Sequence, residues 1–267
     1  MKKNEHAYAV IVKVIFVIGV LSVWEFVARS NLFGEQSALV FPTLGAIGKA
    51  FLQNFITGYG GISLWVYIGN SMNLLLKGLL IGIGLACLLS GLSMVSKAFY
   101  HIYNLMVSIF DLLPGIALLP VVIIIFGVRP EVITALVVHA VLWPMSRSIL
   151  DGFQAVPSIY TEAGLNIGLR GIGLLWGVYL PASLNYILSG LKAGWARAWR
   201  GLISAEMIFG VASSPGIGLY INQMRTNMNN VEMYATLLVI IIIGLIVQYG
   251  ILIPIENNTV KKWGMSR

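Results

Sequence analysis

The chain has 267 residues, of which 58% are hydrophobic and only 10% charged, with a formal net charge of +7. A mean hydropathy of +0.88 excludes an ordinary soluble domain, in which roughly a quarter of residues are charged. One cysteine, Cys87, and three scattered histidines, His6, His101 and His139, leave no disulfide framework and no cluster at metal-ligand spacing.

An α-helix rises about 1.5 Å per residue, so about 20 apolar residues are needed to cross a bilayer core. Six runs approach or exceed that length: Tyr8–Ala28, Tyr67–Leu92, Phe99–Phe126, Glu131–Leu150, Ala182–Ile208 and Met233–Ile255. Hydrophobicity all round each run is what lipid contact demands, and it predicts an all-α, polytopic membrane protein with about six spans. The first run follows a short basic start, as a signal peptide does, but it continues for about 20 residues without a small-x-small cleavage site and reads as a retained helix. Cys87, within the second, reads as a small apolar helix residue.

Between the first two runs, Phe41-Pro42-Thr43 precedes Ile47, Phe51, Leu52 and Phe55 at helical spacing. This predicts a short amphipathic helix at the outer surface and not a seventh span. The third run contains Pro114-Gly115 and Pro120. Each proline deletes a backbone donor, so the span should be kinked or split. Its prolines either serve gating along a pathway or reflect the general tolerance of membrane helices for proline.

Basic residues assign the sides. With the N-terminus inside, the inner side carries Lys2, Lys3, Lys97, Arg147, Arg170, Lys261, Lys262 and Arg267, and the outer side Arg29, Lys49, Arg129 and Arg225. That bias predicts both termini in the cytoplasm. Because the cations flank apolar spans and are not interleaved with aromatics on a polar face, the charge indicates membrane lipid and no nucleic-acid partner.

The stretch from Asp151 to Pro181 is too polar and Gly-rich to cross, and it falls on the inner side. Pro157 can open a helix at its first turn, with Glu162 near the positive helix end. Gly168, Gly171 and Gly173 supply a turn before a second apolar piece, Leu174 to Leu180, so a helix-turn-helix is expected. Its residues carry a resemblance. Glu162-Ala163-Gly164, three residues, Gly168, nine residues and Val178-Tyr179-Leu180-Pro181 resemble the EAA loop of ATP-binding-cassette importer permeases, E-A-A-x3-G-x9-I-x-L-P. Gly164 stands for Ala and Val178 for Ile, each keeping small or β-branched character.

The likeness extends along the chain through Phe41-Pro42-Thr43, Pro114 with Pro120 and Phe126-Gly127, Trp143-Pro144 and Val156-Pro157. Gly194, Arg197-Ala198-Trp199, Ala205-Glu206-Met207 and Gly216-Ile217-Gly218 are similar to the nitrate, sulfonate and taurine branch.

The resemblance implies a type I importer permease fold in the bacterial cytoplasmic (inner) membrane. It implies one permease domain over residues 1–267, with the EAA loop at about 151–181 acting as a coupling helix between spans four and five. Tyr160, Thr161, Glu162, Ala163, Gly164 and Gly168 would then meet a separate ATPase subunit. The implied partners are a second permease copy in a homodimer, two ATP-binding-cassette ATPase subunits and an extracytoplasmic solute-binding protein. ATP and Mg would be held by the ATPase subunits, and this chain would bind no cofactor. The implied solute is a small anion; an amino acid, a metal oxyanion and a vitamin precursor are the alternatives.

The residues alone add limits. No G-x-x-x-x-G-K-[ST] is present, so ATP hydrolysis is expected elsewhere, and Gly216-Ile217-Gly218 lacks the third glycine and preceding strand of a nucleotide loop and reads as a turn that starts a helix. No paired carboxylates, His cluster or nucleophile–base pair points to an enzyme. The lack of an inverted repeat argues against an ion-gradient-driven transporter, the rival from outside this family.

Lys77, Lys192, Arg197, Arg200 and Glu206 fall inside predicted spans, where a charge costs about 2.5–3.5 kcal/mol on insertion scales. Around a helix, Lys192, Arg200 and Arg197 lie at roughly 0°, 80° and 140°, with Glu206 near −40°. With Pro114 and Pro120 these are the candidate pathway residues. Two readings stand: an electropositive path, or pairing of the arginines with Glu206, Glu25 or Asp111 that fixes helix packing. No His or acidic chain accompanies Glu25 or Asp111 to suggest a proton relay.

Overall fold

The computed structural model describes the backbone of residues 2–30, 32, 34, 37–58, 61–211 and 213–261, with the side chains of all but residues 2–7, 9, 38, 260 and 261. Of the terminal cations used above, Lys2, Lys3, Lys261, Lys262 and Arg267 lie outside the described side chains. Helices follow in the order α1 (Lys2–Arg29), α2 (Ser37–Val40), α3 (Leu44–Ile56), α4 (Leu64–Ser93), α5 (Lys97–Phe110), a 3-10 turn (Gly115–Leu118), α6 (Leu119–Phe126) and α7 (Pro130–Gln154). Then come α8 (Ser158–Asn166), α9 (Ile172–Leu174), α10 (Leu180–Ala182), α11 (Leu184–Ile208), α12 (Ile217–Thr226), α13 (Asn230–Val247) and α14 (Ile253–Glu256). Wider π turns at Leu175–Tyr179, Gln248–Leu252 and Asn257–Lys261 continue three of these helices. No extended strand occurs among the described residues.

Four stretches are long and apolar enough to cross a membrane unaided: Val10–Arg29, Leu64–Ser93, Pro130–Gln154 and Asn230–Thr259. Two bent pairs bring the number to six, Lys97–Phe110 with Gly115–Phe126 at 94° and Ile172–Ala182 with Leu184–Ile208 at 72°. The first bend is the expected break of the third run. Pro114 takes an extended conformation there, with ψ of 122°, and has no N–H to continue the helix. Pro120 lies in the first turn of α6, where a missing donor costs nothing. The second bend falls where the loop was expected to meet the fifth span: the piece Leu174 to Leu180 joins α11 through Ser183, whose φ and ψ of −93° and 3° depart from α geometry.

The chain divides into two compact units, residues 1–65 with 220–241 and residues 66–219 with 242–267. In the first, Thr43 caps α3 by accepting from the Ala46 N–H at 3.3 Å, and the Glu25 carboxylate accepts from the Leu44 N–H at 2.9 Å. Both satisfy orphan donors of the helix start. The Trp24 indole donates to the Pro42 carbonyl at 3.0 Å, and its ring packs edge-on to Phe41 and Tyr234. Ile47 and Ala50 of α3 are buried with Ala235, whereas Leu52, expected on the same apolar face, is exposed.

The second unit is organised around α7, fourteen of whose residues are buried. Two G-x-x-x-G pairs let its neighbours approach. A Cβ on Gly78 would sit 2.6 Å from Val137 Cβ, and one on Gly82 2.9 Å from Val141 Cβ, so α4 lies against α7 with no room for side chains. On α11, a Cβ at Gly190 would reach Ser148 Cβ at 2.7 Å and one at Gly194 would reach Val141 Cγ1 at 3.4 Å. Small residues four apart are how membrane helices gain van der Waals contact where lipid supplies no hydrophobic drive. Polar groups are satisfied across the same packing: Tyr103 and Ser146 hydroxyls lie 2.6 Å apart, and Arg147 Nη2 donates to Ser108 Oγ at 2.7 Å. Arg147 is therefore bonded within the helix layer, where the sequence reading had counted it among the inner-side cations.

Candidate functional site

Residues 158–182 form a helical hairpin at the end of α7. Pro157 presets the entry to α8 with φ of −58°, and the Thr161 hydroxyl donates back to the Ser158 carbonyl at 2.7 Å. Gly168 ends α8 in the left-handed region, φ +85°, while its neighbour Leu169 donates its N–H to the Gly164 carbonyl at 2.9 Å. A residue with a Cβ strains at that position, which is why glycine serves there. The Phe153 ring meets Tyr179 edge-on at 5.8 Å, joining α7 to the returning limb.

Gly164 faces that limb. It is buried, and a Cβ there would come 2.8 Å from Leu174 Cδ1 and Val178 Cγ2. With Gly164 inward, Tyr160, Glu162 and Ala163 are exposed and Thr161 is half-buried. Glu162 is the fifth residue of α8 and stands outside its first turn, later than the sequence reading placed it. Ile159, Ile167, Ile172 and Trp176 are also exposed on the hairpin, so its surface is largely apolar, with Glu162 and Arg170 as its exposed charged groups.

A second constellation lies in a cavity of about 340 Å³ between the broken third span, α7 and α11. Arg197, Arg200, Gly201 and Ser204 reach it from α11, a spacing of 3, 4 and 7 residues that defines one helix face. Leu136, His139, Ala140 and Trp143 reach it from α7 at the same spacing, and Asp111, Pro114 and Gly115 come from the bend. Arg197 forms an ion pair with Asp111. Arg200 has no ion pair among the described residues and is exposed. Phe110 stacks on Trp143 with ring centroids 4.8 Å apart. The indole Nε1 of Trp143 and both ring nitrogens of His139 are enclosed without a hydrogen-bond partner.

The structure brings together Arg197, Arg200 and Pro114 and leaves Lys192, Glu206 and Pro120 off the cavity wall. Lys192 is half-buried in an ion pair with Glu256 of α14. Glu206 is 1% exposed; its carboxylate accepts from the Ser71 hydroxyl and from the Gly218 N–H at 2.9 Å. At about 100° per residue Glu206 lies half a turn from Arg197 on the same helix, which separates the two faces. Ile217 is the first residue of α12, so the Gly216-Ile217-Gly218 turn does start a helix. Sequence reasoning missed His139 as a cavity residue, although its spacing with Leu136 and Trp143 was legible. Glu256 as the partner of Lys192, 64 positions away, left no local signal.

The family model for the inner membrane component of binding-protein-dependent transport systems matches residues 78–253, which takes in the cavity, the hairpin and the two G-x-x-x-G pairs. Similar proteins include the taurine transport system permease protein TauC of Escherichia coli K12, 26% identical over 86% of this chain and 82% of its own length. The nitrate import permease protein NrtB of Synechocystis is 25% identical over 85% of this chain and 81% of its own. The matched stretch covers most of the chain, including α7 and the helices that close on it through glycines, and the chain belongs to the binding-protein-dependent transport system inner membrane component family.

Proposed function

We propose that two copies of this chain form the solute path of an ATP-driven importer for a small anion, with both termini cytoplasmic. In this reading, two ATPase subunits dock on the 158–182 hairpins, hold the ATP and Mg, and shift the pair between outward- and inward-open states. A separate solute-binding protein delivers the solute from the other side, and this chain itself makes and breaks no covalent bond.

The observation that carries the reading is the inward turn of Gly164 against Leu174 and Val178. It braces α8 on the rest of the chain and leaves Tyr160, Glu162 and Ala163 exposed as a contact face. A rigid hairpin joined directly to α11 can pass a push from an ATPase to the helix that carries Arg197 and Arg200. An anionic solute is supported by that cationic cavity face and by the solutes in the names of NrtB and TauC, nitrate and taurine, the latter carrying a sulfonate group.

Sidedness tests the arrangement. Ser158→Cys in a Cys87→Ala background should resist an impermeant maleimide added outside cells and react in inverted vesicles, while Thr57→Cys and Ser213→Cys should show the reverse. Labelling of Ser158→Cys from outside would place the hairpin where no ATPase can reach it and would overturn the proposal.

A further inference from the structure

We propose that the cavity under the Pro114–Gly115 bend is a low-affinity binding site for a small organic anion, one with a charged head and an apolar body. The inference deepens the importer reading and rests on it.

Its donors are of three kinds. Arg200 supplies a guanidinium with no ion pair among the described residues. Ser204 lies one turn further on the same face of α11 and adds a hydroxyl. Trp143 is 9% exposed, and its N–H lies enclosed with no acceptor. Leaving such a group unpaired costs about 1–3 kcal/mol, so a native site that keeps one calls for a reason. His139, one turn before Trp143, repeats the pattern with two enclosed nitrogens that lack partners, at least one of which carries a proton in any ionisation state. The one carboxylate on the wall, Asp111, is already engaged by Arg197 and does not neutralise Arg200.

The rest of the wall is apolar. The Phe110 ring stacked on Trp143, with Leu136 and Pro144, adds apolar surface to the wall. A volume of about 340 Å³ is generous for a bare triatomic or tetratomic oxyanion and suits a head group plus a short chain. An inorganic ion would leave the apolar wall without a contact. The donors come from α7 and α11 and the wall is completed by Phe110 and the bend, so movement of the broken span relative to α11 would open the cavity and release the solute, as a transport site requires.

The test is equilibrium binding of radiolabelled butane-1-sulfonate to the purified permease–ATPase complex in nanodiscs without the solute-binding protein, with butane-1-sulfonamide and nitrate as competitors. Wild type should bind the sulfonate with a millimolar-range dissociation constant, resist competition by the neutral sulfonamide, and need a tenfold or greater excess of nitrate for displacement. Arg200→Gln should lower affinity at least tenfold and Arg200→Lys should restore most of it. Trp143→Phe, which keeps the ring and removes only the N–H, should lower affinity severalfold with the complex still monodisperse.

Absence of sulfonate binding to wild type, or wild-type binding by both Arg200→Gln and Trp143→Phe, overturns the site. The same complex reconstituted in sealed proteoliposomes, with ATP inside and binding protein outside, separates this from the broader reading. ATP-driven anion uptake without cavity binding removes the site alone, and cavity binding without ATP-driven uptake of any anion removes the importer alone.

Discussion

The Ser71 hydroxyl lies 2.8 and 2.9 Å from the two carboxylate oxygens of Glu206, 135 positions away, and both residues are buried. The same hydroxyl accepts the Ile217 N–H at 2.9 Å, and Glu206 accepts the Gly218 N–H at 2.9 Å. The two side chains thus cap the start of α12 in the way an N-cap does, satisfying donors that its first turn leaves free. Space for the arrangement is made by Gly218, where a Cβ would overlap the Ile203 carbonyl, and by Gly216, where it would overlap the Glu206 carboxylate. No cation among the described residues balances Glu206. Its carboxyl group is held by directed donors at the positive end of α12.

Glu206→Ala should therefore lower stability more than selectivity. It strands a buried hydroxyl and a backbone N–H, at a cost of about 2–4 kcal/mol. Thermal scans of the purified protein in detergent should show a clear drop in midpoint, with a smaller drop for Glu206→Gln, which keeps an acceptor for Gly218. An unchanged midpoint together with an altered anion preference would return Glu206 to the path.

Gly164 and Gly168 should fail in different ways. Gly164→Ala meets Leu174 Cδ1 and the β-branched Val178 Cγ2 at 2.8 Å, so the returning limb must shift by roughly half an ångström or more, and ATPase co-purification should fall by about twofold. Gly164→Leu should push α8 off its brace and lose most of that association. Gly168→Val forces a β-branched residue to φ near +85°, straining the turn by about 1–2 kcal/mol or more, and should uncouple hydrolysis from uptake while the protein still inserts. Full coupling in both Gly164→Leu and Gly168→Val would contradict the hairpin as the transmitting element.

Asp111 holds Arg197 within the cavity wall. Asp111→Asn keeps the shape, removes the competing charge and frees a second guanidinium for solute. Affinity of the permease–ATPase complex for butane-1-sulfonate should rise about threefold or more, with slower release lowering maximal uptake. If the pair only fixes packing, the same change should reduce expression and leave affinity where it was.

The spans were legible because lipid imposes a strong rule on sequence: about 20 apolar residues in a row. The break at Pro114 was legible for the same reason that proline cannot donate, and the hairpin because Gly168 and the E-A-x4-G spacing mark its turn. Its junction with α11 was legible too, the bend at Ser183 falling just after the Leu180-Pro181 pair. The partners of Lys192, Arg197 and Glu206 depended on which helices meet. That was set by Gly78, Gly82, Gly190 and Gly194 closing on α7, a pattern carried by spacing and passed over in a chain with 29 glycines. Pairings 64 to 135 positions apart depend on which helices meet and on nothing local.

The most direct measurement is solute uptake into proteoliposomes holding the permease and its ATPase, with ATP enclosed with the ATPase and the solute-binding protein outside. The account predicts accumulation of a labelled anion such as nitrate or butane-1-sulfonate that requires ATP, survives ionophores that collapse ion gradients, and is absent for choline. Accumulation of choline or of neutral solutes alone, or uptake that proceeds without ATP and stops with ionophore, would contradict it.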